Sequence, residues 1–192
     1  MLKVGITAIA IAGAWVAAAL IGTGSFAQTP AAPLRAGDWP ALGNDPGGSQ
    51  YSPLAQITAR NVSGLALAWV HHSGDVAGRG SAVGPTGLEA VPIHVNDTLY
   101  YCTPFNRVFA LDPATGREKW IFDPHAKRNG GTALIRQPRK AGICRSVAYW
   151  QAAEPKAGGS CEKRIFKGDI YGNVFAIDAD TGASCQDFGA GK

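Results

Sequence analysis

A nine-residue run occurs twice in this chain, 66 residues apart. Val108-Phe109-Ala110-Leu111-Asp112-Pro113-Ala114-Thr115-Gly116 is answered by Val174-Phe175-Ala176-Ile177-Asp178-Ala179-Asp180-Thr181-Gly182, identical at six positions. Each copy is an apolar stretch ending in aspartate, followed by a Thr-Gly pair. The apolar part suits a buried strand. The aspartate can accept hydrogen bonds from backbone amides, and glycine accepts the positive φ that a tight turn needs. Strand-turn units recurring at such a period are the signature of a β-propeller, in which each repeat is one blade. The predicted fold is therefore all-β, an incomplete β-propeller of about two blades.

The rest of the chain fits that reading. Short strand candidates separated by turn residues fall at Glu89 to His94, Thr98 to Thr103, Arg107 to Asp112 and Arg117 to Phe122. They resume at Arg145 to Gln151, Arg164 to Gly168 and Asn173 to Asp178. Leu65 to His71 reads as an earlier strand carrying Trp69, and Ala55 to Val62 as a segment with a short helical turn. Asn96-Asp97 supplies a hairpin turn. With 25 glycines, 12 prolines and 17% charged residues, the composition favours many turns over long helices. Four blades of this period, the low end of propeller sizes at ~4 blades, already exceed the length available. Two blades alone would leave sheet edges and an inter-blade face open, so the chain is expected to be part of a larger protein.

Residues 1–27 read as a signal peptide. Lys3 gives a positive start, Val4 to Ile21 carry no charge, and small residues stand at Ser25 and Ala27 where a signal peptidase cuts. The alternative is an uncleaved membrane anchor; both place the remainder outside the cytoplasm, in the periplasm. A flexible Pro/Ala leader spans 28–37, and 38–192 form the N-terminal part of the propeller domain. In an oxidising compartment the four cysteines, Cys102, Cys144, Cys161 and Cys185, are candidates for two disulfides. Three connectivities are open; the pairing favoured is Cys144 with Cys161 and Cys102 with Cys185. The net charge is +4, with Lys and Arg scattered and no basic stripe interleaved with aromatics, so no nucleic-acid partner is expected.

Further stretches carry a family resemblance. Trp39, Gly43-Asn44-Asp45, Tyr51-Ser52-Pro53-Leu54, Gln56-Ile57, Asn61-Val62 and Ala68-Trp69 come first. Then follow Glu89-Ala90-Val91-Pro92, Asp97-Thr98-Leu99-Tyr100, Cys102-Thr103-Pro104 and Cys144-Arg145-Ser146-Val147-Ala148-Tyr149. Together with the two repeats they resemble the start of a pyrroloquinoline-quinone (PQQ) dependent dehydrogenase, in the glucose, quinate/shikimate and polyol branch. The likeness covers the chain from Asp38 onwards, and Ala110, Asp112, Gly116 and Trp120 match that family's tryptophan-docking spacing. It implies an eight-bladed propeller holding PQQ and calcium, oxidising a sugar, polyol or cyclic alcohol and passing electrons to a membrane quinone. It also implies association with the outer face of the inner membrane. Glu89 and Arg145 match positions that contact PQQ in related quinoproteins. A planar guanidinium suits the PQQ carboxylates.

The catalytic aspartate, the calcium ligands and a lysine near PQQ belong to later blades of that family. The general-base aspartate is accordingly expected beyond Lys192, and no catalytic or metal-binding residue is assigned here. The 192-residue chain by itself is therefore expected not to turn over substrate. The adjacent cysteines of methanol-oxidising relatives are missing. Phe105 stands where the glucose branch commonly has histidine, and Gln186 where a second docking tryptophan would fall. His71-His72 ends a strand, where adjacent side chains face opposite sides, so no shared metal site is expected; His94 and His125, near turns, read as solvated. No Ser-His-Asp arrangement or phosphate loop is evident. The competing classes are a non-catalytic periplasmic propeller scaffold and an inactive truncated product.

Overall fold

The computed structural model describes residues 35–75, 87–126, 143–154, 156 and 158–191. Among these residues, seven strands form two antiparallel sheets. The first holds β1 (Ile93–Val95), β2 (Thr98–Cys102), β3 (Val108–Leu111) and β4 (Glu118–Phe122), in that order across the sheet. The second holds β5 (Ala148–Gln151), β6 (Lys163–Gly168) and β7 (Val174–Asp178), again in chain order. A single bridge between Ile177 and Ser184 adds the beginning of a fourth line beside β7. Two meandering sheets in sequence are two propeller blades, as the repeat predicts.

Each hairpin follows from its turn residues. Asn96 and Asp97, at φ 51° and 54°, join β1 to β2 in the left-handed conformation that two-residue hairpins require. At the end of β3, Asp112 Oδ1 accepts the backbone N–H of Ala114 (3.1 Å) and Thr115 (2.8 Å) and the Thr115 hydroxyl (2.8 Å). Asp178 Oδ1 does the same for Asp180 (3.1 Å), Thr181 N–H (2.9 Å) and the Thr181 hydroxyl (2.9 Å). Gly116 and Gly182 finish the two turns at φ 70° and 74°.

Both turns are also docking sites. A Cβ on Gly116 would come within 2.5 Å of the Trp69 ring, and one on Gly182 within 2.8 Å of Trp120. The indole N–H groups donate to the carbonyls of Pro113 (3.1 Å) and Ala179 (3.0 Å), each one residue past the aspartate. Trp69 thus sits on the first turn as Trp120 sits on the second. Trp120 belongs to β4, so the first blade is pinned to the second through its last strand.

Alternation along the strands divides the first sheet into two apolar faces. One face, with Val95, Tyr100, Val108, Ala110 and Phe122, packs on Val147, Ile165 and Ile177 of the second blade. The Tyr100 hydroxyl adds a bond to the Ala179 carbonyl (3.1 Å). The opposite face, with Tyr101, Phe109 and Leu111, is covered by Trp69 from the lead-in segment. His71 lies there too, its ring nitrogens bonding the Tyr101 hydroxyl (2.7 Å) and Glu118 (2.8 Å).

The structure departs from the sequence expectations at several points. Leu65–His71 forms no strand; it runs as coil beside the first sheet, with no strand partner among the described residues. The helical turn expected within Ala55 to Val62 is present: the Asn61 and Val62 N–H groups donate to the Thr58 carbonyl (3.1 and 2.9 Å), and a 3-10 turn continues over Val62–Gly64. His125, expected to be solvated, is instead buried at 7% exposure. The expected strands from Glu89 and from Arg145 start only at Ile93 and Ala148, leaving both charged residues ahead of the sheets. The favoured disulfide pairing is wrong: the bonds are Cys102–Cys144 and Cys161–Cys185. The reason is topological. Cys144 precedes β5 and Cys161 precedes β6, and antiparallel neighbours begin at opposite ends of a sheet. Four paired residues span about 13 Å, beyond the ~7 Å Cα reach of a disulfide. The signal-peptide reading (1–27), most of the 28–37 leader and the basic Lys127 to Lys140 stretch lie outside the described residues. So does Lys192, the position beyond which the general-base aspartate is expected.

Candidate cofactor-binding site

Antiparallel connectivity sorts the loops by end. The Asp-Thr-Gly turns occupy one end of the blades. The segments leading into β1 and β5, and the β2–β3 and β6–β7 turns, occupy the other. Glu89 and Arg145 are both at this second end, and their segments lie side by side. The Val91 N–H donates to the Arg145 carbonyl (2.6 Å), and the Ser146 hydroxyl donates to the Val91 carbonyl (3.3 Å). The Arg145 guanidinium then pairs with Glu89, Nη2 to Oε2 at 3.3 Å. Two residues separated by 56 positions are therefore neighbours across the blade junction.

The pair is open to solvent, with side-chain exposures of 73% for Arg145 and 44% for Glu89. An exposed ion pair of this kind adds little to stability. It places a planar cation with N–H donors and an accepting carboxylate side by side within reach of solvent. That donor set fits a flat, polycarboxylate ligand, because guanidinium binds carboxylates through two parallel hydrogen bonds.

The backbone under Arg145 is fixed on both sides. Cys144 and Val147 are buried, and the Cys102–Cys144 disulfide ties the segment to the end of β2, with Cα atoms 5.8 Å apart. The β2–β3 turn at the same end carries Phe105, 2% exposed, and Asn106, at φ 66°. Asn106 Oδ1 accepts from the Lys167 ammonium of the second blade at 2.7 Å. Burial lowers the Lys167 pKa to about 8, against a smaller opposing pull from Asp169. Arg107, just before β3, holds Asp75 of the lead-in through Nε (2.8 Å) and also donates to the Ser73 carbonyl.

Lys167 and the Arg107–Asp75 pair escaped the sequence reading. A signal for Lys167 existed: it shares the inward register of Ile165 on β6, so alternation puts it on the apolar face. Nothing in the sequence joins Asp75 to Arg107. Among the described residues, Cys161, Cys185 and Asp187 form the one group with metal-ligand proximity. Both its sulfurs are consumed by the second disulfide.

Comparison with known proteins agrees with this architecture. The family model "PQQ: Glucose/ethanol/alcohol dehydrogenase, beta-propeller domain" matches residues 39–192. The chain is a β-propeller segment by its fold, and it belongs to this PQQ-dependent dehydrogenase family. A quinoprotein glucose dehydrogenase of Escherichia coli is 40% identical over 174 residues, covering 87% of this chain and 21% of the relative. The glycerol dehydrogenase large subunit of Gluconobacter thailandicus is 37% identical, covering 85% of this chain and 21% of that protein. The quinate/shikimate dehydrogenase (quinone) of Acinetobacter baylyi is 30% identical, covering 79% and 19% respectively. Among solved structures, a quinohemoprotein alcohol dehydrogenase of Pseudomonas putida HK5 aligns with TM-score 0.51 and 30% identity, covering 77% of this chain and 18% of that one. The chain thus spans about a fifth of the length of the relatives it matches.

Proposed function

We propose that residues 38–192 form the first two blades of a periplasmic quinoprotein dehydrogenase and supply two contacts to PQQ, Glu89 and Arg145. The observation that carries this reading is the solvent-open Glu89–Arg145 pair, assembled at the junction of two blades by the Val91–Arg145 backbone bond. When bound, PQQ supplies the two-electron acceptor for oxidising an alcohol carbon to a carbonyl. Arg145 would hold one of the cofactor's carboxylates with its N–H donors, and Glu89 would orient the guanidinium and offer an acceptor to the ligand. The general base is an aspartate placed after Lys192, in a later blade. The substrate class is a sugar, polyol or cyclic alcohol, with a membrane quinone as acceptor. That choice follows the glucose, glycerol and quinate/shikimate names of the relatives. Calcium is the metal this reading adds, and no described residue is assigned to it. Residues 1–27 act as the export signal.

The test is a PQQ titration followed by quenching of tryptophan fluorescence. Arg145→Ala should weaken PQQ by about 10- to 100-fold, the loss expected for charge-assisted hydrogen bonds of about 1.5–3 kcal/mol. Glu89→Gln should weaken it less. An Arg145→Ala protein that binds PQQ as tightly as the parent would sink the assignment.

A further inference from the structure

The two disulfides occupy opposite kinds of place. Cys161–Cys185 joins the residues leading into β6 to the segment after the second Asp-Thr-Gly turn, away from the Glu89–Arg145 pair. Cys102–Cys144 ends at the residue immediately before Arg145. Residues 143–147 have no strand or helix of their own. Along them a buried Cys144 is followed by the exposed Arg145 and, after Ser146, by the buried Val147. The arginine is thus the outward residue of a short span pinned on both sides. On the N-terminal side the pin is covalent, since Cys102 is part of β2 and pairs with Val108 in β3. Among the described residues, the hydrogen bonds that tie the span to Val91 are the one from the Val91 N–H to the Arg145 carbonyl and the one from the Ser146 hydroxyl to the Val91 carbonyl.

We propose that the Cys102–Cys144 disulfide is a positioning element for Arg145: it fixes the arginine backbone against Val91 and so makes cofactor affinity depend on the oxidation state of this cysteine pair. The inference rests on the reading of Arg145 as a PQQ contact. Reduction by a dithiol would break the sulfur–sulfur bond. Two electrons and two protons pass to the cysteine sulfurs, giving two thiols, while the reductant closes its own disulfide. The span before Arg145 then loses its covalent anchor, and the guanidinium samples positions away from Glu89.

The full chain with Cys102→Ala and Cys144→Ala is to be compared with one carrying Cys161→Ala and Cys185→Ala. Two quantities are read on each, the PQQ dissociation constant and the hydrogen-exchange rate of the Val91 amide. The first variant should weaken PQQ at least 10-fold and speed Val91 exchange at least 10-fold, with amides of β2 and β3 unchanged. The second should lose thermal stability but leave both quantities near the parent values. Unchanged Val91 exchange in the first variant overturns the proposal, as does an equal loss of PQQ affinity in both. Should the first variant fail to fold, partial reduction of the folded parent, with the opened bond mapped by alkylation, supplies the same two readouts. Failure of the PQQ reading is told apart by Arg145→Ala: unchanged affinity there removes the cofactor role, while Val91 exchange still decides whether the disulfide positions the arginine.

Discussion

Asp112 and Asp178 close the same turn in two different settings. Each accepts the same three hydrogen bonds through Oδ1, and each turn ends in a glycine pressed against an indole. Asp112 is partly exposed, and its carboxylate accepts no hydrogen bond from outside its own turn among the described residues. Asp178 is 5% exposed and accepts a fourth bond, from the Cys161 N–H at 2.5 Å through Oδ2. Burial pulls the Asp178 pKa upward. The bonds from Cys161, Thr181 and Asp180 outweigh that pull and hold the carboxyl below its ordinary value. For Asp112 the Thr115 hydroxyl and backbone bonds lower it directly. The turn is therefore a local property of the Asp-x-x-Thr-Gly sequence. Its load is set by what packs around it: the second turn also anchors the approach to β6 and receives the first blade through Trp120.

That contrast predicts a ranking. The largest effect belongs to Trp120, whose ring seats on Gly182 and packs with the main core. Trp120→Ala should cost about 3–5 kcal/mol in chemical unfolding, the range for truncating a large aromatic in a packed junction. Trp69→Ala should cost clearly less, because it releases a coil segment and not a second sheet. Equal losses would break the comparison. Next come the aspartates. Asp178→Ala leaves the Cys161 N–H and the turn amides without their acceptor, and should cost about 2–3 kcal/mol. Asp112→Ala, in the more exposed turn, should cost less. The sign with pH follows from the lowered pKa of Asp178. Its stabilisation is fully present above the unfolded value near 3.8 and is lost as pH falls through the folded value. Acid titration of stability should thus show a steeper fall below pH 4 for the parent than for Asp178→Ala.

The smallest effect is at the junction's other end. Burial depresses the folded pKa of Lys167 to about 8, below the ordinary 10.5. Between these values the unfolded chain binds more protons, so stability rises with pH there. Unfolding midpoints at pH 8 and pH 9.5 should show this rise, on the order of 1 kcal/mol, in the parent and not in Lys167→Met. The comparison stays below pH 10 because Tyr101 and Tyr149, both pushed up to about 12 by burial, oppose folding once unfolded tyrosines ionise.

Much of this was legible in the residues. The repeat announced two blades, and six of the seven strands fall within a residue or two of where turn chemistry and apolar alternation put them, or shorten from one end. β1 is the poorest match, because Glu89 to Pro92 is held by Arg145 of another segment and not by β2. Leu65–His71 has a strand's alternation but no partner among the described residues, and alternation alone does not create a ladder. The disulfide pairing is not legible, because cysteine spacing carries no information about which end of a sheet each cysteine occupies. Glu89 and Arg145 stand out by resemblance and by charge chemistry. Their mutual contact was not foreseeable, since it depends on one backbone bond between Val91 and Arg145.

The tryptophan seats have a consequence for symmetry. Trp69 from the lead-in docks on the first blade's glycine, and Trp120 from the first blade docks on the second blade's glycine. Donor and acceptor surfaces are therefore different patches of each unit, which makes the contact heterologous, head to tail. Repetition of such a contact closes into a ring only when its rotation divides a full turn; otherwise it continues as an open helix. A change at Gly116 or Gly182 that tilts one seat by a few degrees would add that angle to the misfit such a ring must absorb. These glycines thus govern closure as well as local packing.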